Sequence, residues 1–426
     1  MKPSNVAVIG GGFSGAIQAI ELARRGVSVT LIERTDRAPR GVAYSTPHAD
    51  HLLNVRASGM SALAGEPDHF ANWFGDSNGF AERRLYGAYL EEMLAGEPLE
   101  LVRGEAVDVH RDGEAETVLL SDGRRILAGA VVLSIGNLPP DVPRSIGPRL
   151  RSSAVFVGDP WARDFTGGLG PDDTVLLIGT GLTAIDAALI LDSAGFAGRT
   201  IAISRRGMVP RAHPEPPPSA QRIEQVPEPR CTSLVTLVRG EAERIGWHSA
   251  VDRMRPVTQR LWAAAEPEER RRFLRHLRPY WDVHRHRIAP SIAARIASMV
   301  ESGRLEFAAG KIMSASAEAV TWRRRGRGDP ETLRAARIVN CTGPQGDIGR
   351  AGDPLLRNLL AAGRIRPDVC RIGIDVDSEG HLIGGDGSAS PALYAIGPMT
   401  RGAWWEVIAV PDIRVQAEAL AERLAA

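Results

Sequence analysis

The residues whose spacing could do chemistry are, first, glycines. Gly10-Gly-Gly-Phe-Ser-Gly15 reads GxGxxG, and Glu33 follows at about the 20-residue distance that separates a phosphate-binding turn from a ribose-binding acid. In such a turn Gly10 permits the tight bend, Gly12 lets backbone approach a pyrophosphate, and Gly15 lets helix and strand pack closely. Phe13 and Ser14 would then open a helix whose N-terminus carries partial positive charge, which suits a diphosphate. Glu33 accepts hydrogen bonds from ribose hydroxyls, with Arg34 beside it. A second turn, Gly179-Thr-Gly-Leu-Thr-Ala184, reads GxGxxA through Gly181, Leu182 and Thr183. At the matching distance stands Ser204-Arg205-Arg206 instead of an acid. Arginine there accommodates the 2′-phosphate of NADP, whereas an acid favours the free hydroxyl of NAD. The alternative for Arg205 and Arg206 is a solvated turn. Two turns with different strand ends point to two dinucleotides, FAD at the first and NADPH at the second.

These turns need a strand before and a helix after. Residues 5–9 are a short β-branched apolar run, and residues 16–25 carry apolar spacing at Ile17, Ile20 and Leu22 before Gly26. Residues 173–178, 183–193 and 200–204 repeat strand, helix and strand around the second turn. Apolar strands at 129–136 and 337–344 end at Gly136 and Gly343, and a third at 393–398 ends in Gly397-Pro398. A periodic helix closes the chain at about 411–424. The expected fold is therefore α/β, with two Rossmann-like dinucleotide-binding domains. Residues 1–145 and 335–426 form a discontinuous FAD domain, and residues 146–334 an inserted NAD(P) domain. Between about 215 and 300 the α/β rhythm breaks. Pro214-Glu-Pro-Pro-Pro218 must be extended, and residues 233–246, 250–265 and 266–278 read as helices. This helical insertion is either a substrate lid or packing that supports its domain.

Composition narrows the class. At about 150 residues per domain, 426 residues make two or three domains. With 52 basic and 51 acidic side chains the net charge is +1, so no general attraction to nucleic acid or membrane surface is expected. All but Lys2 and Lys311 of the basic residues are arginine, so each arginine must be argued from its position. No apolar run approaches the ~18 residues of a membrane span, and no leader pattern precedes the first strand. Cys231, Cys341 and Cys370 are far apart, offering neither a disulfide framework nor a CxxC dithiol. The expectation is a cytoplasmic enzyme without a metal centre, acting on a small molecule. Its oligomeric state is open, a homodimer included.

Several segments carry a family resemblance: Gly41-Val-Ala-Tyr-Ser-Thr46, His51-Leu-Leu-Asn-Val55, Gly179-Thr-Gly-Leu-Thr183, Ser204-Arg-Arg-Gly207, Trp281-Asp-Val-His-Arg285 and Gly402 to Glu406. With them the chain resembles the two-dinucleotide-binding flavoproteins. That group holds flavin-dependent N-hydroxylases, Baeyer–Villiger-type monooxygenases and pyridine-nucleotide disulfide reductases. More narrowly it is similar to a bacterial N-monooxygenase group that includes the nitrosuccinate-forming aspartate enzyme, and to a bacterial urate hydroxylase. The resemblance implies that NADPH reduces FAD and that dioxygen is the co-substrate, through a flavin C4a-(hydro)peroxide. Its first implied reaction is N-oxygenation of an amino acid such as aspartate. Urate-type hydroxylation, or electron transfer without oxygen insertion, are the alternatives. The FxGxxxH signature of Baeyer–Villiger enzymes is absent, since Phe156-Val-Gly-Asp-Pro160 leads to Arg163 without a histidine. The Gly-Asp of many FAD proteins is Gly397-Pro398 here.

The resemblance puts Asn54 and the 41–46 loop, with Tyr44, near the isoalloxazine, and Trp404, Trp405 and Glu406 on the opposite loop. Further cofactor contacts are expected at Val107, Gly136, Gly343, Gly397 and Pro398. Arg211 and Arg401 would suit an anionic substrate because guanidinium pairs bidentately with planar anions. Asn54, Arg211, Arg401, Trp404 and Glu406 are thus the candidates nearest the chemistry. His213 is expected to face solvent. For the two tryptophans, one packed and one half-exposed is as good a reading as substrate contact.

Overall fold

The computed structural model describes residue 3, residues 5–215, residue 223 and residues 226–426. Asn5–Ile9 lies inside a six-stranded sheet ordered His381–Ile383, Ala389–Ala395, Ala130–Leu133, Asn5–Ile9, Ser28–Glu33, Glu100–Arg103. Every pairing is parallel except that of His381–Ile383 with Ala389–Ala395. Alternation along the first strand sends Val6 and Val8 to one face and Ala7 and Ile9 to the other. The first pair packs with Ile17 and Ile20 of helix Phe13–Arg24 and Leu420 and Leu424 of helix Val410–Ala425. The second pair packs on Leu356 and Leu359 of helix Pro354–Ala361 and on a small meander. A strand buried on both faces has to be apolar throughout, which is why this one is.

The second sheet repeats the plan. Thr174–Ile178 pairs in parallel with Arg199–Ser204 on one side and Arg337–Asn340 on the other. Leu305–Ala315 follows beyond Arg199–Ser204, as Glu100–Arg103 does beyond Ser28–Glu33. Val175 and Leu177 face one core and Leu176 and Ile178 the other. Antiparallel strands Val320–Arg324 and Glu331–Leu333 extend this sheet to seven with Phe156–Val157 at its far edge. The first sheet draws strands from both ends of the chain, and the second from between them.

The third sheet, Ala106–Asp112, Ala115–Leu120 and Arg125–Ala128, is an antiparallel meander. Glu116 in its middle strand is fully buried and meets the Arg364 guanidinium in a two-pronged ion pair at 2.8 Å. The helical insertion differs in detail from its periodicity. Cys231–Ala264 runs through a kink at Gly246, and Pro267–Arg272 continues through a π-helical turn, Phe273–Leu277, into Arg278–Arg285. Part of the expected extended loop at 214–218 falls outside the described residues. Among the described residues no helix is long and apolar enough to cross a membrane.

Candidate functional site

The first glycine turn is built by exclusion of side chains. Gly10 has φ +103°, and a Cβ there would sit 2.5 Å from the Ser134 carbonyl oxygen. A Cβ at Gly15 would lie 1.8 Å from the Gly10 carbonyl oxygen. Gly12 is the N-cap of helix Phe13–Arg24 and makes no side-chain cap bond, so the helix N-terminus is presented to whatever lies in front of it. Glu33 ends the neighbouring strand. Its carboxylate accepts from the Gly11 N–H at 2.7 Å and from the Thr35 N–H and hydroxyl at 2.8 Å each. Two carboxylate oxygens offer about four acceptor positions, so capacity remains for a ribose hydroxyl. Around Gly136 there is open space, with nothing within 4 Å of where a Cβ would stand. An uncapped helix start, an acid at the strand end and a cleared glycine fit a dinucleotide.

The other expected contacts spread around this turn. Phe13 meets Tyr44 edge-on at 6.3 Å, and Tyr44 stands 4.7 Å from Tyr86. Burial pushes the Tyr44 hydroxyl well above the usual tyrosine range. Ser14 lies under Gly397, where a Cβ would come within 2.4 Å of its hydroxyl, and the Gly397 N–H donates to the Gln416 amide oxygen at 2.8 Å. Pro398 is buried in the short turn Gly397–Thr400. Arg34 is exposed and lies 3.5 Å from Asp353. The Val107 carbonyl accepts from Asn358 at 2.9 Å.

The second turn reproduces the first. Gly179 has φ +127°, and a Cβ there would sit 2.3 Å from the Cys341 carbonyl oxygen. Gly181 caps helix Leu182–Ser193 without a side-chain bond, and open space surrounds Gly343 as it does Gly136. The difference lies at the strand end. Where Glu33 holds the first turn, the Ser204 hydroxyl sits 2.9 Å from that of Thr180 and accepts the Gly207 N–H at 2.9 Å. A neutral hydroxyl does the anchoring, so no carboxylate there opposes a 2′-phosphate. Arg205 beyond it is exposed, and Arg206 lies with its guanidinium carbon 5.6 Å from the Tyr280 ring centre.

Between the turns the two sheets are joined by polar contacts that sequence reading missed. Arg83 grips Asp186 of helix Leu182–Ser193 at 2.8 and 3.1 Å. His51, fully buried, bridges the Thr46 hydroxyl at 2.7 Å and the Asp186 carbonyl at 3.3 Å, and burial holds its pKa down. His213 is half-buried, not solvent-facing, because its Nε2 meets the Asn54 carbonyl at 3.0 Å. Arg211 is exposed two residues before it, its backbone paired with Val283 and Ile288. Asn54 and Leu182 line a small cleft at this junction together with Arg83 and Asp186, and Arg211 lies exposed near it.

The C-terminal loop is held from the other side. Trp405 is buried and stacks on Trp262 of the insertion at 4.7 Å, while the Trp262 indole N–H donates to the Gly402 carbonyl at 2.8 Å. Glu406, a non-glycine residue at φ +70°, is buried and accepts from Trp281 and, at 2.9 Å, from Arg285. Trp404 is half-buried between the two faces of the first sheet. Arg401 points at backbone: its Nε donates to the Ile372 carbonyl at 2.6 Å, and burial brings its pKa down to about 10. His284 and His286, two residues apart in the insertion, have different surroundings. His284 stacks on Trp247 at 5.1 Å, whereas half-buried His286 is surrounded by Asp282, Glu406, Arg285 and Arg278.

This is the two-dinucleotide fold of FAD- and NAD(P)-dependent oxidoreductases. The family model described as FAD-NAD(P)-binding matches residues 7–138, the span that holds the first turn and Glu33. The fold is similar to that of ornithine hydroxylase from Pseudomonas aeruginosa, at TM-score 0.67 and 16% identity over 99% of this chain and 98% of that one. It is similar also to L-lysine 6-monooxygenase from Pseudomonas syringae, at 0.64 and 16% over 99% of each chain. Bacillithiol disulfide reductase from Bacillus cereus matches at 0.61 and 15%, over 99% and 98%. No curated protein sequence matches the chain.

Proposed function

We propose that this protein is an NADPH-dependent, FAD-containing monooxygenase that oxygenates the amine nitrogen of a small polar amino acid. The observation that carries the reading is the pair of turns alike in geometry and opposite in strand-end charge, Glu33 against Ser204-Arg205-Arg206. Bound FAD would supply the reaction of reducing equivalents with dioxygen. The chain's residues hold, orient and enclose. Glu33 and the Gly10–Gly15 turn hold the first dinucleotide; Gly179, Gly181, Arg205 and Arg206 hold the second. Asn54 and Arg211 would lie nearest the reacting ends of the two dinucleotides, with the 401–406 loop held in place by the insertion. The overall change balances as amine, dioxygen, NADPH and a proton giving hydroxylamine, water and NADP⁺.

The disulfide-reductase outlet has no support in the cysteines. All three are unpaired, Cys231 and Cys341 are buried, and burial pushes the Cys231 thiol up to about 11, far from the thiolate such chemistry needs. The neighbours named for ornithine and lysine direct the first choice to an amino acid, and exposed Arg211 at the rim to one with an extra carboxylate, aspartate first. The test is oxygen-18 labelling under dioxygen with aspartate, ornithine, lysine and urate, while NADPH and hydrogen peroxide are followed. Label in an N-hydroxylated product, with NADPH use raised by the same substrate, is the expected result. If no substrate takes up label and all NADPH reappears as peroxide or a reduced acceptor, electron transfer without oxygen insertion replaces this reading.

A further inference from the structure

Helix Arg278–Arg285 presents neighbouring aromatic residues to two different places. Trp281 donates its indole N–H to Glu406 on the C-terminal loop. Tyr280 turns the other way, to the Arg206 guanidinium at 5.6 Å, and Arg206 also donates to the Arg275 carbonyl at 3.5 Å. The π-helical turn Phe273–Leu277 directly precedes this helix and sets the rotation at which both side chains emerge, a device that recurs at functional sites. Tyr280 is 49% exposed, an open aromatic face beside the exposed Arg205.

We infer that Tyr280 is the wall of the second nucleotide site that stacks on the adenine of NADPH, while Arg206, lying along its ring, meets the 2′-phosphate. Every purine has a π-face, so a single tyrosine suffices for stacking, and the guanidinium supplies the charge that separates NADPH from NADH. The inference rests on the NADPH reading above and assigns the helical insertion a part in it.

Calorimetry on the FAD-loaded protein with adenosine 2′,5′-bisphosphate and with adenosine 5′-monophosphate separates the two ideas. The unaltered protein should bind the bisphosphate at least tenfold more tightly, a preference that Arg206→Ala sharply reduces. Tyr280→Ala and Tyr280→Leu should each weaken both ligands about tenfold, with FAD content unchanged, and Tyr280→Phe should stay within about twofold of the unaltered protein. If the unaltered protein shows no preference for the 2′-phosphate, the NADPH reading fails and takes the wall with it. If the preference stands but Tyr280→Ala and Tyr280→Leu bind both ligands normally, or Tyr280→Phe is as weak as they are, only the role of Tyr280 is overturned.

Discussion

On the proposed reading Glu33 would hold a ribose as well as brace its own turn, and sequence alone shows only the first of these. The strand-end acid is legible from its distance to the glycines, because a ribose-binding contact is fixed locally by turn, helix and strand. Its bonds to the Gly11 N–H and to Thr35 are not legible, since they depend on how the strand end folds back on the turn. Glu33→Ala removes both, and the loss of a charge-assisted bond should weaken FAD affinity by about 1.5–3 kcal/mol. Glu33→Gln keeps a neutral acceptor and should lose roughly 0.5–1.5 kcal/mol. Titration of the apoprotein with FAD, read by flavin fluorescence, checks both. An alanine variant with undiminished affinity would show that ribose is held elsewhere. Arg401 and Glu406 illustrate the opposite limit at this scale. Arg401 by its type suggests an anion-facing group and Glu406 an open loop carboxylate, yet a backbone carbonyl takes up Arg401 and a partner helix takes up Glu406, both contributed from elsewhere along the chain.

At the scale of elements, the strands and helices around both turns follow directly from apolar runs closed by glycine. The meander at 106–128 carries a signal in its turns: Gly113-Glu114 directly after Asp112, and Asp122-Gly123, close its two hairpins. The seam between the sheets had no such signal, because Arg83 and Asp186 come from helices that pack on different sheets. Arg83→Met would leave the Asp186 carboxylate, 9% exposed, without its partner, at a cost of about 3 kcal/mol in stability. Pairing that change with Asp186→Leu should recover much of the loss, measured as denaturant midpoints. Next to this pair His51 is buried neutral, its pKa below the ordinary 6.5. The unfolded chain therefore binds a proton that the folded one resists. The contribution of His51 is present above pH 6.5 and is lost as pH falls below it. His51→Gln should accordingly flatten the fall of stability between about pH 7 and 5. An unchanged slope would mean that His51 titrates alike in both states.

For the molecule as a whole, the helical insertion ties the inserted sheet to the C-terminal loop of the first. Sequence left its role divided between lid and support, since periodicity shows a helix but not what its faces touch. The contacts show it bracing the C-terminal loop: Trp262 and Trp281 reach Gly402 and Glu406, and Tyr280 meets Arg206 at the end of the second turn's strand. Glu406 keeps a left-handed backbone that costs a non-glycine residue about 1–3 kcal/mol, which persists because Arg285 and Trp281 fix its side chain. If this docking closes the junction against water, loosening it should leave both dinucleotides bound and spoil the use of their electrons. Arg285→Ala and Glu406→Gln should therefore retain FAD and a near-normal rate of NADPH oxidation, but shift the product from oxygenated amine toward hydrogen peroxide. The shift should be larger for Arg285→Ala, which strands a buried carboxylate, than for Glu406→Gln, which keeps an acceptor for Trp281. Peroxide formed per NADPH consumed, with saturating amine, is the quantity to measure. Coupling equal to that of the unaltered enzyme in both variants would confine the loop to a structural part and leave exclusion of water to the contacts across the Arg83–Asp186 seam.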